Sequence, residues 1–258
     1  MPDNRTLAVS NSGRLSTWDL ITGKRLREFA DIGTAESFAP TGREGELLCG
    51  GSGLTVWDAR TGKMTRALNA PEQVRCVAAS ADGKSAVSGS DFTNSDPLGS
   101  VRVWNLQTGA ETIKLTDGVK WFDSVAISPD GRYALASSSD DQSIRLWDLR
   151  TKKVVRRFKA SARMARCTAF SPDGARFIFT DTEVAHLWDL KGDREICQLK
   201  GHTVEIHAVC FSPDGAYAAT AGGLQVFTGT RVDTAVRVWR LPAWPQKVAG
   251  GEENKAGN

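Results

Sequence analysis

Residues 127–149 read ISPDGRYALASSSDDQSIRLWDL, and the organisation of the whole chain follows from them. Asp130-Gly131 marks a tight turn, because such turns need a positive φ that glycine supplies without steric cost. On either side of Ser139-Asp140-Asp141 lie runs of alternating polar and apolar residues rich in β-branched side chains, the pattern of short strands. The same order returns in FSPDGARFIFTDTEVAHLWDL at 170–190, and in FSPDGAYAATA at 211–221 followed by AVRVWRL at 235–241. Weaker copies keep the strand that carries the tryptophan: GRLSTWDL, LTVWDAR and SVRVWNL. Trp18, Trp57, Trp104, Trp147, Trp188 and Trp239 therefore recur every 39 to 51 residues.

After most of these tryptophans a second turn, such as Thr22-Gly23, Thr61-Gly62 or Thr108-Gly109, leads into another strand, for example KRLREFA, KMTRALN or KVVRRFK. With the strand before each Asp-Gly turn, every unit becomes an antiparallel meander of four strands, here called a to d. Units of about 40 residues with a Trp-Asp signature match one propeller blade.

In these residues the sequence resembles the WD-repeat family, and within it the regular SPDG-rich arrays common in bacteria. The resemblance covers residues 2 to about 241. It implies an all-β fold, a β-propeller of six Trp-marked blades at approximately 2–30, 31–70, 71–117, 118–160, 161–201 and 202–248. The first blade lacks an inner strand, since Pro2-Asp3-Asn4-Arg5 stands where other copies have Ser-Pro-Asp-Gly. The chain thus reads as the C-terminal part of a longer, seven-bladed ring, or as one whose start lies further upstream. Residues 249–258 form a polar tail, expected to be disordered.

Composition narrows the function classes. Hydrophobic residues make up 40% of the 258 and charged residues 24%, ordinary for a globular domain. A net charge of +3 from 33 basic and 30 acidic residues gives no field for nucleic acid or anionic lipid. Cys49, Cys76, Cys167, Cys197 and Cys210 show no C-x-x-C spacing and are expected to be buried and reduced. No leader pattern or long apolar run is present, which predicts a soluble cytoplasmic protein.

In similar proteins a His before strand a, a Ser or Thr in strand b, an Asp in the b–c turn and the strand-c Trp form a buried hydrogen-bonded relay. Matched position by position, the last blade holds all four as His202, Thr220, Asp233 and Trp239. Blade four keeps Ser137, Asp141 and Trp147 but has Gly118 in place of the His, and the other blades must rely on apolar packing. His202, Asp233 and Thr220 could be read as a hydrolytic triad, but in the matched pattern they are stabilisers spread through one blade. His186 has no partner at ligand spacing, so no metal is expected. Gly50–Gly53 lacks the Lys-Ser/Thr and the following helix of a phosphate loop. Arg102, Arg145 and Arg237 lie on the Trp side of strand c and are expected to pack by their stems. Neither a catalytic residue nor a cofactor is assigned.

Hairpin topology puts the a–b and c–d turns on one face and the d–a and b–c loops on the other, the top in similar proteins. Two long b–c loops, 91–99 and 224–231, bring Phe92 and Phe227 to that face. Residues flanking the start of strand a add Arg75, Trp121, Asp123, Met164, Arg166, Glu205 and His207, a composition suited to an interface hot spot. Trp121 could equally pack against the neighbouring blade. The expected function is a non-enzymatic scaffold, a monomer or part of a larger complex, that binds a protein or peptide through its top face. The alternatives are a sensory module of a larger kinase or protease, and a hydrolase or lyase site in the channel.

Overall fold

The Asp-Gly turns and tryptophan strands assemble into six antiparallel sheets in chain order. The computed structural model describes residues 5–11, 14–29, 32, 35–70, 73–93, 97–159, 165–223 and 235–243. Blade 1 contains β1 (Thr6–Asn11), β2 (Arg14–Asp19) and β3 (Arg25–Glu28). Blade 2 contains β4 (Ser37–Pro40), β5 (Glu46–Gly50), β6 (Leu54–Asp58) and β7 (Lys63–Leu68). Blade 3 has β8 (Val74–Ala79), β9 (Ser85–Ser90), β10 (Val101–Asn105) and β11 (Glu111–Leu115). Blade 4 has β12 (Ser124–Ile127), β13 (Tyr133–Ser138), β14 (Ser143–Asp148) and β15 (Lys153–Lys159). Blade 5 has β16 (Ala165–Phe170), β17 (Arg176–Asp181), β18 (Val184–Asp189) and β19 (Arg194–Lys200). Blade 6 has β20 (Ile206–Phe211), β21 (Tyr217–Gly222) and β22 (Val236–Arg240). Each sheet pairs its strands in sequence, which makes the fold a six-bladed β-propeller. Among the described residues blade 1 has no inner strand, in line with the sequence expectation; Pro2, Asp3 and Asn4 lie outside those residues.

The turn chemistry explains why the motifs have their composition. Ser128 Oγ donates to Asp130 Oδ1 over 2.6 Å, Asp130 accepts from the Arg132 amide, and Gly131 between them has φ +69°. Ser80, Ser171 and Ser212 repeat the arrangement with Asp82, Asp173 and Asp214. Blade 2 differs: Thr41 donates instead to Glu46, and its wider turn uses two left-handed glycines, Gly42 and Gly45.

The c–d turns follow a second rule. The residue after the tryptophan (Asp19, Asp58, Asn105, Asp148, Asp189) accepts two backbone N–H groups of the turn through its Oδ1. Five residues after the tryptophan the backbone is left-handed: Gly23, Gly62, Gly109, Lys152 and Asp193, with φ between +50° and +78°. Just before the tryptophan, the c–d register shifts by one residue in all five of these blades, a bulge that adds twist to the outer half of the blade.

The core lies in the seams between blades. Strand c of one blade offers alternate aliphatic residues to the tryptophan of the next: Leu54 and Val56 to Trp104, Val101 and Val103 to Trp147, Ile144 and Leu146 to Trp188, Ala185 and Leu187 to Trp239. Leu15 meets Trp57 in the same way. Among the described residues the outer faces of the two end blades have no such cover, and Val236, Val238 and Leu7 are 69%, 68% and 45% exposed.

The last-blade relay is present in the three members that are described. His202 Nε2 lies 2.8 Å from Thr220 Oγ1, to which Trp239 Nε1 donates from 2.8 Å; Asp233 falls outside the described residues. Blade four departs from expectation. Thr220 pairs across the sheet with Arg237 and Ser88 with Arg102, but Arg145 faces Ala136, so Ser137 points to the other side of the sheet. A slip of one residue reverses the face of a strand side chain. Trp147 Nε1 is consequently buried without a hydrogen-bond partner, and Asp141 binds Arg145 and Ser143 instead. Trp104 finds Ser88, whereas Trp18 and Trp57 turn to Ser16 and Thr55 on their own strands.

Two further expectations change. All five cysteines are free, but only Cys49 and Cys76 are fully buried, while Cys210 is exposed on the inner strand of blade 6. His186 does have an acidic partner, Glu195 Oε1 at 2.7 Å across β18 and β19, a pairing that linear spacing hides.

Candidate interaction site at the channel mouth

The inner strands β4, β8, β12, β16 and β20 contact one another in succession and wall a central channel. Their first residues stand at the upper mouth because strand a runs from the b–c loop face to the Asp-Gly turn face. The structure divides the expected site residues into two groups. In the first, Arg75 Nη1 contacts Asp91 Oδ1 at 3.0 Å, and its Nη2 lies 3.9 Å from Asp123 Oδ1. In the second, Glu205 Oε2 lies 3.3 Å from Arg166 Nε and 3.7 Å from His207 Nε2. The strand-b end of blade 4 approaches the second group, where Ser137 Oγ donates to the Arg166 carbonyl over 3.4 Å.

Electrostatics follow from half-burial. Burial works against the Arg75 charge, but the hydrogen bond it donates to Asp91 and the fields of Asp91, Asp123 and Glu36 outweigh it and raise its pKa. Burial lowers the pKa of His207, with Arg166 adding to the effect and Glu205 opposing it, so the imidazole is neutral at pH 7 and Arg166 is the cation that faces Glu205. Cys76 and Cys167 follow Arg75 and Arg166 in their strands. Burial pushes the Cys167 thiol up to about 12 and the Cys76 thiol up as well, which leaves both without thiolate reactivity.

The two aromatics have different surroundings. Phe92 is 52% exposed beside Asp91. Trp121 is half-buried: its Nε1 donates to Ser139 Oγ over 3.0 Å, its carbonyl accepts from Ser138 Oγ, and its backbone bridges to Asp91. It braces the seam between blades 3 and 4, the packing alternative left open by the sequence. Met164 and Phe227 lie outside the described residues.

Sequence reasoning missed Asp91, Ser139 and Glu36. Asp91 follows the strand-b residue Ser90, the register partner of Val74 next to Arg75, so the strand a–b pairing was the available signal. Ser139 fixes Asp123 by donating its amide to Oδ2 over 2.6 Å. Glu36 accepts from Gln73 across the seam between blades 2 and 3. Among the described residues no group of three or more His, Cys, Asp or Glu side chains could hold a metal ion, and no helix is long and apolar enough to cross a membrane.

Residues 62–105, 116–148 and 193–240 match the family described as WD domain, G-beta repeat. Those three stretches are similar to WD repeats. Similar proteins include WD repeat and SOCS box-containing protein 1 of Danio rerio, 32% identical over 30% of this chain and 18% of its own length. Protein tipD of Dictyostelium discoideum is 24% identical over 70% of this chain and 30% of its own. The Ribosome biogenesis protein WDR12 homolog of Chlamydomonas reinhardtii is 30% identical over 42% and 25%. The matched WD-repeat stretches thus span less than a third of these relatives.

Proposed function

We propose that this WD-repeat propeller is a non-enzymatic scaffold that binds a protein or peptide partner over its upper channel mouth. The observation that carries the reading is the exposed aromatic Phe92 next to Asp91, at a mouth that also holds two half-buried ion clusters, Arg75 with Asp91 and Asp123, and Arg166 with Glu205. Aromatic anchors beside partly desolvated arginines are what alanine scans find at the centres of interfaces. His207, and Met164 and Phe227 from the sequence reading, complete the proposed surface. Trp121 contributes by holding Asp91 and the blade 4 loop in place.

Site-specific photo-crosslinking in an extract of the source cells tests it. A benzophenone amino acid at position 92 or 166 is expected to capture the same protein, and one at position 130 on the opposite face is not. Phe92→Ala and Arg166→Ala should each weaken that capture at least about tenfold, as hot-spot losses do, with the thermal midpoint unchanged. Capture from position 130 alone would move the site to the other face.

A further inference from the structure

The outer strand of blade 4 concentrates positive charge as no other strand among the described residues does. Between Arg150 and Lys159, in the c–d turn and β15, six of ten residues are basic and none is acidic. The outer strands β3, β11 and β19 each hold an acid among their bases: Glu28, Glu111 and Glu195. β7 has no acid but only two bases, and its Arg66 is taken up by the Leu106 and Gln107 carbonyls of blade 3.

The packing of β15 accounts for two of the six. Arg156 lies over the rings of Phe158 and Trp188, at 5.2 and 5.0 Å, and pairs with Asp193 of blade 5. Arg157 pairs with Asp117 in the loop before β12. Arg150, Lys152, Lys153 and Lys159 are exposed and pair with no acidic side chain among the described residues. Negative charge laid along this strip relieves the repulsion between them.

Two further features shape the occupant. β15 pairs with β14 alone, so one edge of its backbone is unpaired among the described residues. Such an edge is a template for another extended chain, and a row of lysines discourages neutral and basic chains but not acidic ones. The second feature is Val155, the extra residue where the β14–β15 register shifts, 54% exposed with Lys153 and Arg157 exposed on either side of it. In β7 and β11 the same bulge position holds Thr65 and Thr112, whose hydroxyls donate to the Val56 and Val103 carbonyls. In β15 it presents an apolar contact instead.

We propose that the outer edge of blade 4 is a second interaction surface, which binds an acidic peptide in extended conformation along β15. Carboxylates of the peptide face Arg150, Lys152, Lys153 and Lys159, and an apolar residue between them meets Val155. A single-stranded nucleic acid has the right sign but the wrong chemistry. Its backbone has no N–H and C=O groups to pair with a strand edge, and the one ring of β15, Phe158, is buried where no base can stack on it. The surface lies three strand spacings, about 14 Å, from the inner strand β12, so it stands independently of binding at the upper mouth.

Fluorescence anisotropy of the full chain with a labelled decapeptide of alternating Glu and Val tests the proposal. Lys153→Glu with Lys159→Glu is expected to weaken binding at least about tenfold, whereas Lys24→Glu with Lys63→Glu, the same charge change at the outer edges of blades 1 and 2, alters it less than about twofold. Amide exchange of the parent chain gives a second reading, in which the peptide slows the amides of β15 and leaves those of β3 and β7 unchanged. No measurable binding, an equal loss in the two charge pairs, or equal protection of β3, β7 and β15 would overturn the proposal. So would displacement of the labelled peptide by oligothymidylate at lower concentration than by unlabelled peptide of equal charge, which would make the strip a nucleic-acid site.

Discussion

Two buried indoles illustrate how much one side chain settles. Trp239 shares Thr220 with His202, whereas Trp147 faces Ala136 and has no acceptor. Thr220→Val is expected to cost about 1–3 kcal/mol, the usual penalty for stranding a buried polar group. Ala136→Ser should do the reverse and stabilise by up to about 1 kcal/mol, by giving Trp147 the acceptor that Ser88 gives Trp104. Urea unfolding of the two variants measures both, and an Ala136→Ser chain no more stable than its parent would show that Trp147 is satisfied in solution. The sequence held enough to place this residue. Thr220 and Ser88 both lie five residues after their turn glycine, and the same count from Gly131 reaches Ala136 and not Ser137. By that count Ala136, and not Ser137, holds the relay position. The ion pairs of Arg145 with Asp117 and Asp141 were less accessible, because Asp117 comes from the loop of the preceding blade.

At the level of turns and strands, a backbone conformation is set by a few side-chain contacts, and pH exposes them. Asp148 accepts the amides of Arg150 and Thr151, and the Thr151 hydrogen bond, with Arg132 nearby, holds its carboxyl below the usual range against a smaller opposing effect of burial. Asp58 is lowered in the same way by Thr61. A carboxylate whose folded pKa is depressed contributes stability above its unfolded value, and this is lost as pH falls through the folded value. Asn105 plays the same part in blade 3 with no charge. Asp148→Asn is therefore expected to keep the turn but lose the contribution of the charge: slightly less stable than the parent at pH 7, by about 1 kcal/mol or less, with the gap closing as pH falls below the ordinary Asp value of 3.8. Chemical unfolding at pH 7 and pH 3 checks this, and a gap that widened in acid would be inconsistent with the cap. These turns were legible wherever glycine marked them. Lys152 and Asp193 take the same left-handed conformation without glycine, and only alignment to the tryptophan reveals them.

Across the whole molecule, a side chain's worth depends on which blade stands next to it, and that is absent from its local sequence. Val236 and Val238 occupy the positions of Ile144 and Leu146 and read identically as alternating strand residues. Yet Leu146 is 5% exposed against Trp188 and its neighbours, while Val238 is 68% exposed. Six blades were readable from the tryptophans because each repeat carries its own turns, but the exposed faces of blades 1 and 6 among the described residues were not. Leu146→Ala removes atoms from a closed seam and is expected to cost about 2–5 kcal/mol, in the range of buried Leu truncations. Val238→Ala should fall within about 0.5 kcal/mol, as for an exposed substitution. Hydrogen exchange follows the same gradient, with the amides of β13 and β14 protected longest and those of β1 and β22 released first, because local opening is easiest where few apolar contacts must break. If Val238→Ala proved as costly as Leu146→Ala, the outer face of blade 6 would be covered in solution.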